Sequence, residues 1–250
     1  MHRRVFLAAA LVFFLSLNLQ SAAQQPILHV YGPGGPLGPL QECADLFSAA
    51  NQVKVVVTPS PDPQWFSQAQ QDADLIFGGA GYMLTEFASR RPEILDEKSR
   101  VELYARPAGI LVRKGNPKKI NSAADLTRPG LRLLEVNGGG QVGLLKEVAD
   151  KTGLTPAIRK NVAMSVQNSV QALDQWRANP KLDAWVTFES WQYSLSETAD
   201  LVRLPEAQQV YRETQIAIVK SAPNRALAEK FIAFLLTDQA HGVFQKWGWK

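Results

Sequence analysis

The sequence has one cysteine, Cys43, so no disulfide can form within the chain. Cys43 falls among Leu40, Ala44 and Phe47 on an expected helix and reads as a buried, unreactive thiol. Histidine is nearly as scarce. His2 lies in the leader, His29 in a strand beside the core and His241 in the last helix at the surface, which gives neither a metal-ligand cluster nor an acid-base pair. No G-x-S-x-G, S-x-x-K, H-E-x-x-H or C-x-x-C occurs, and the carboxylates follow no pattern beyond that of a solvated face. Neither catalysis nor a cofactor or metal is therefore expected. A surplus of one charge is missing too: without Arg3 and Arg4 in the leader, the 27 basic residues nearly match the 23 acidic ones. That balance argues against a nucleic-acid partner. Internal repeats, low-complexity tracts and obvious linkers are also absent.

What is present begins with an export signal. Met1 to Arg4 is basic, Val5 to Leu19 is almost wholly apolar, and Ser21, Ala22 and Ala23 are small. The apolar run is shorter than the ~20 residues that cross a bilayer, so residues 1–23 read as a secretory signal peptide cleaved after Ala23. Arg3-Arg4-Val5-Phe6-Leu7 is similar to part of a twin-arginine signal, but His2 precedes the pair and the general secretory route is expected. No cysteine stands where a lipid anchor would need one, and a soluble periplasmic monomer is expected.

The remaining chain is 46% apolar over its full length and alternates short β-branched runs with longer helical patterns, which argues for α/β layers. Strands are expected at Ile27 to Tyr31, Val53 to Thr58, Ala73 to Phe77, Leu131 to Val136, Asn161 to Ala163 and Ala184 to Phe188. Helices are expected at Pro39 to Ala50, Gln64 to Gln71, Val142 to Thr152, Asn168 to Ala178, Asn224 to Leu236 and before Trp247-Gly248-Trp249. Leu103 to Arg113 and Arg212 to Lys220 are long enough to cross between two lobes. Lobe I would then combine residues 24–107 with 205–250, and lobe II would be 108–204, with a ligand cleft between them.

The chemistry gathers at strand-to-helix turns. Gly32 to Pro36, Gly78 to Ala80 with Gly79 at its centre, and Asn137 to Gln141 contain no acidic residue. Helix starts there present unpaired N–H groups and a positive dipole end, so their convergence would bind an anion. Gly138-Gly139-Gly140-Gln141-Val142-Gly143 fits a dinucleotide fingerprint, but Ile158-Arg159-Lys160-Asn161 stands where that motif wants an acid for the ribose. A nucleotide cofactor is therefore rejected.

Several segments carry a resemblance across most of the chain. Tyr31-Gly32-Pro33-Gly34-Gly35-Pro36, Pro63-Gln64-Trp65-Phe66, Asp72-Ala73-Asp74-Leu75-Ile76-Phe77, Tyr104-Ala105-Arg106-Pro107, Asn137-Gly138-Gly139-Gly140-Gln141 and Asp183-Ala184-Trp185 resemble the accessory colonization factor C family. That family is similar to the molybdate and sulfate binding proteins. The resemblance implies a two-lobed type II periplasmic binding protein fold, with two crossover strands and the cleft between the lobes. It implies capture of a small anion, inorganic or organic, for an inner-membrane permease or a chemoreceptor. The alternative is an exported enzyme using the same cleft. By the same resemblance, ligand contacts fall at Gly34, Gly35, Gln64, Gly139, Gly140, Gln141, Asn168, Ser169 and Thr187. The chain departs from the pattern with a Gly-Gly pair where serine is typical, and with Trp65, Trp185 and Arg106. An Arg106 fork suits a carboxylate as well as an inorganic oxyanion. Each of these has a plainer role open to it: Trp185 in the core, Arg106 paired with Glu102, Asn168 as a helix cap, and Trp65 or Trp191 as packing.

Overall fold

The computed structural model describes residues 25–250, so the expected signal peptide lies outside the described residues. The chain opens with β1 (Ile27–Gly32), α1 (Leu37–Asn51), β2 (Lys54–Pro59), α2 (Asp62–Asp72), β3 (Leu75–Gly78) and α3 (Gly81–Arg90). β1 lies between β2 and β3 and runs parallel to both. Parallel pairing needs crossovers that cover the sheet faces, and α1 shows how the sequence supplies one. Its Leu40, Cys43, Ala44 and Phe47 recur at helical spacing and are all buried against the sheet.

The chain then crosses to the second lobe along β4 (Val101–Arg113). The first half of β4, Val101 to Pro107, pairs with the returning strand β9. Its second half, Ala108 to Val112, pairs with β7. Seven successive residues from Arg106 to Val112 are buried, because the strand is covered on both sides where it enters the second lobe. That lobe continues as β5 (Leu133–Val136), α4 (Leu144–Asp150), α5 (Thr155–Arg159), β6 (Val162–Val166), α6 (Ser169–Ala178), β7 (Ala184–Phe188), α7 (Trp191–Ser194) and β8 (Ala199–Arg203). β9 (Tyr211–Ile218) returns to pair with both β4 and β3, and α8 (Arg225–Leu235) and α9 (Asp238–Lys246) close the first lobe. The strand order is β2-β1-β3-β9-β4-β7-β5-β6, with β8 also on β4.

Hydrophobic packing follows the same division. One cluster runs from Ala108 to Val210 and centres on Trp176, Trp185 and Phe188. Two others draw on both ends of the described chain, one around Phe47, Phe231 and Phe244 and one around Tyr31, Trp65 and Phe87. Each fully buried aromatic or leucine contributes ~1.5–3 kcal/mol, so each lobe has its own source of stability. The expected strands and helices are all present, with ends shifted by a few residues. α3, α5, α7 and β8 are additional; α3 buries only Leu84 and Phe87, too sparse a stripe to announce itself.

Burial among apolar neighbours, with a smaller effect of Glu42, pushes the Cys43 thiol up to about 12. Cys43 should therefore resist a thiol reagent at pH 8 in the native protein and react fully in denaturant. Native labelling at the rate of a free thiol would contradict its packing against α1's neighbours.

Candidate functional site

A cavity of about 360 Å3 opens at the carboxyl ends of the parallel strands. The turn after β1 brings Gly34 and Gly35 to it, and the turn after β3 brings Gly79. The turn after β5 adds Gly139, Gly140 and Gln141, and the turn after β6 adds Asn168 and Ser169. Ligands of open α/β sheets bind at such ends because the connections separate there. α3 and α6 begin at the cavity, so first-turn N–H groups without helical partners lie at its wall. The Asn168 side chain accepts a hydrogen bond from the Gln171 N–H at 2.9 Å, so it caps α6 as well as lining the cavity.

Arg106 lines the cavity and is 2% exposed. Its Nη2 donates to the Gly79 carbonyl, and its Nε has no hydrogen-bond partner among the described residues. It makes no ion pair there with Glu102, which is exposed, or with any other described acid. Aromatic rings stand in for a counter-ion: the guanidinium carbon lies 4.1 Å from the Phe188 ring centroid and 5.6 Å from that of Trp249. Burial pushes the Arg106 pKa down to about 9, which leaves the group protonated at neutral pH. Three glycines make room for it. A Cβ on Gly35 would stand 2.6 Å from Nη1, and one on Gly79 or Gly140 would stand 3.1 Å from Nη2.

Around this group the turns are braced by polar contacts. Gln141 is buried, donates from Nε2 to Ser169 Oγ at 3.0 Å and accepts from Thr187 Oγ1 at 2.9 Å. The Tyr82 hydroxyl, from the start of α3, donates to the Gly139 carbonyl and so spans the cavity from one lobe to the other. Arg212 stands opposite Arg106 on β9, and its charge adds to the downward push on Arg106. Glu147 on α4 takes up that second guanidinium.

Two of the expected contact residues lie elsewhere. Gln64 is exposed on α2 and does not line the cavity, because the helix starts at Asp62 and turns that side chain outward. Thr187 is fully buried on β7 and sits behind Gln141, which it holds by its hydroxyl. Trp65 touches the cavity, but its ring packs near Tyr31 and Phe87 and its N–H donates to the Ser60 carbonyl at 2.8 Å. Trp185 is wholly buried in the second lobe's core. Tyr82, Met83 and Val142 also line the cavity; Val142 stands within the glycine-rich Gly138 to Gly143 run, whereas Tyr82 and Met83 belong to no motif that would single them out.

A model of the bacterial extracellular solute-binding protein family matches residues 28–250. The chain belongs to that family. The chain is similar to the molybdate-binding protein ModA of Mycobacterium tuberculosis, at 31% identity over 142 residues. That match covers 56% of this chain and 52% of ModA, so it spans about half the length of this curated relative. PEB3 from Campylobacter jejuni superimposes with a TM-score of 0.81 at 30% identity, covering 89% of this chain and 99% of PEB3. PEB3 bound to L-phospholactate gives 0.82 with the same identity and coverage. The periplasmic molybdate-binding protein of Azotobacter vinelandii, at 18% identity and a TM-score of 0.70, shares the fold over 89% of this chain and 98% of its own. These solute-binding proteins have the type II periplasmic binding fold, as this chain does.

A buried cation without a carboxylate weakens the ligand-free fold, and replacing buried charge by an apolar side chain of similar size is often neutral or stabilising by about 1–4 kcal/mol. Arg106→Met should therefore melt at or above the wild-type temperature in an anion-poor buffer, by ~2–4 °C for each kcal/mol gained. A marked drop in melting temperature would show that Arg106 serves the fold, not a ligand.

Proposed function

We propose that this protein is a periplasmic solute-binding protein that captures a small anion between its lobes and performs no chemistry on it. The observation that carries this reading is the buried Arg106, protonated, without an ion-pair partner among the described residues and sharing its cavity with the starts of α3 and α6. An anion there would gain a charge-assisted contact and the first-turn N–H groups together. The names of similar proteins support the class of ligand, since molybdate and L-phospholactate are both anions. Gly34, Gly35, Gly79, Arg106, Gly139, Gly140, Gln141, Asn168 and Ser169 form the site in this reading, with Thr187 acting through Gln141. Lobe I comprises 24–107 and 205–250, lobe II comprises 108–204, and β4 and β9 flex between them. Residues 1–23 direct export, and the closed, loaded protein docks on an ABC-type permease or a chemoreceptor.

Calorimetry on a panel of anions tests this reading. Arg106→Ala should cost about 2–5 kcal/mol of affinity for the best ligand, because its partner charge would be left desolvated. Arg106→Lys should recover only part of that loss, since lysine lacks the planar fork. Small-angle scattering of the wild type should show compaction on saturation. Unchanged affinity in a folded Arg106→Ala variant would exclude the proposed site.

A further inference from the structure

The cavity is larger than a lone tetrahedral ion needs. At about 360 Å3 it falls within the ~300–1,000 Å3 range of sites that enclose whole organic molecules. Its polarity is uneven. Arg106 is the buried cation, whereas Asp62 and Glu86 also line the cavity and lie towards the solvent side. Asp62 is already engaged by Arg90 and Arg91 at 3.4 and 3.3 Å. Arg90 lines the cavity beside Asp62 and Glu86, so the charges on that side offset one another and the uncompensated cation, Arg106, is the one that would hold an anionic head at depth.

Two further features describe the rest of that ligand. Val142 and Val170 are 48% and 57% exposed, among the few large apolar side chains so exposed in the described residues, and both line this cavity from the second lobe. Met83 lines it from the first lobe. Apolar residues on either side of a cleft are wasted on a fully hydrated inorganic ion but cover the carbon atoms of an organic one. Trp191 also lines the cavity at 9% exposure, and its indole N–H has no hydrogen-bond partner among the described residues. A buried donor left alone is costly, and a ligand oxygen would satisfy it.

We infer that the ligand is an organic anion, with one phosphate or carboxylate head on Arg106 and a short hydroxylated carbon body between Met83 and Val142 and Val170, where a hydroxyl accepts from Trp191. This rests on the anion-site reading above and goes beyond it by excluding a bare oxyanion as the preferred ligand.

The test compares glycerol 3-phosphate and glycerate with inorganic phosphate, sulfate and molybdate, by calorimetry on the wild type, Arg106→Ala, Trp191→Phe and Val170→Asp. At least one of the two organic probes should bind about tenfold or more tighter than any inorganic ion, as burial of its carbon atoms requires. Which one does so identifies the head group. Trp191→Phe keeps the ring and removes the donor; it should weaken the organic probe by up to about tenfold, the scale of one hydrogen bond, and leave sulfate unchanged. Val170→Asp should likewise weaken only the organic probe. An inorganic ion that binds tightest, with Arg106 dependence, would overturn this inference and leave the anion site standing. Unchanged affinity for the organic probe in Trp191→Phe would remove Trp191 from ligand contact. Anion binding that is indifferent to Arg106→Ala would bring down both readings.

Discussion

A guanidinium held out of water without a carboxylate is the constraint around which the cleft is built. Such a charge survives only if its surroundings keep it protonated and hold its geometry. The Phe188 and Trp249 rings supply attraction that needs no competing anion, and the Gly79 carbonyl fixes one nitrogen. An acidic partner at the same place would have stabilised the fold and blocked the site. Leaving it out costs stability in the empty protein and makes the charge available to a ligand.

The same constraint explains the path of the chain near Arg106. The residue lies on β4 next to the point where pairing passes from β9 to β7, so its backbone belongs to the crossover itself. Phe188 reaches it from the second lobe, while Trp249 reaches it from the segment after α9. That segment is anchored by Lys250, whose backbone exchanges two hydrogen bonds with Ala105 at 3.0 and 2.9 Å. The charge is thus gripped by parts of both lobes, and a change in the angle between them changes its surroundings. In the proposed reading, occupancy would couple to closure through this placement, since a ligand on Arg106 would touch turns on both sides.

Much of this was legible in the sequence, for identifiable reasons. Strand-helix alternation and the two long extended runs are strong signals, because parallel strands buried on both faces read as continuous apolar stretches. β7 is the clearest case, with Ala184 to Phe188 entirely buried. Glycine-rich turns without acids pointed to the cavity wall, and Arg106 stood out as a departure from the pattern of the family that the chain resembles. α3 was not legible, because it buries only Leu84 and Phe87 and no capping side chain marks its start, although Arg90 and Pro92 mark its end. Its absence hid Tyr82 and Met83, whose place at the cavity depends on that helix. Gln64 lies off the cavity for the complementary reason: its neighbours in sequence suggested a turn, yet the side chain's direction depends on where α2 begins.

Thr187 and Gln141 show why sequence position alone cannot separate a ligand contact from its support. Both are buried and polar, and they bond to each other. Gln141 spends its amide donor on Ser169 and its carbonyl on Thr187, which ties the turn after β5 to the start of α6 and to the floor of β7. The Thr187 hydroxyl is fully buried and spent on Gln141, and it does not line the cavity. Through Gln141, it orients the turn that carries Gly140 up to the guanidinium. Small groups around the cavity are therefore held by hydrogen bonds made among themselves, and these bonds do not use the Arg106 guanidinium proposed to meet the ligand.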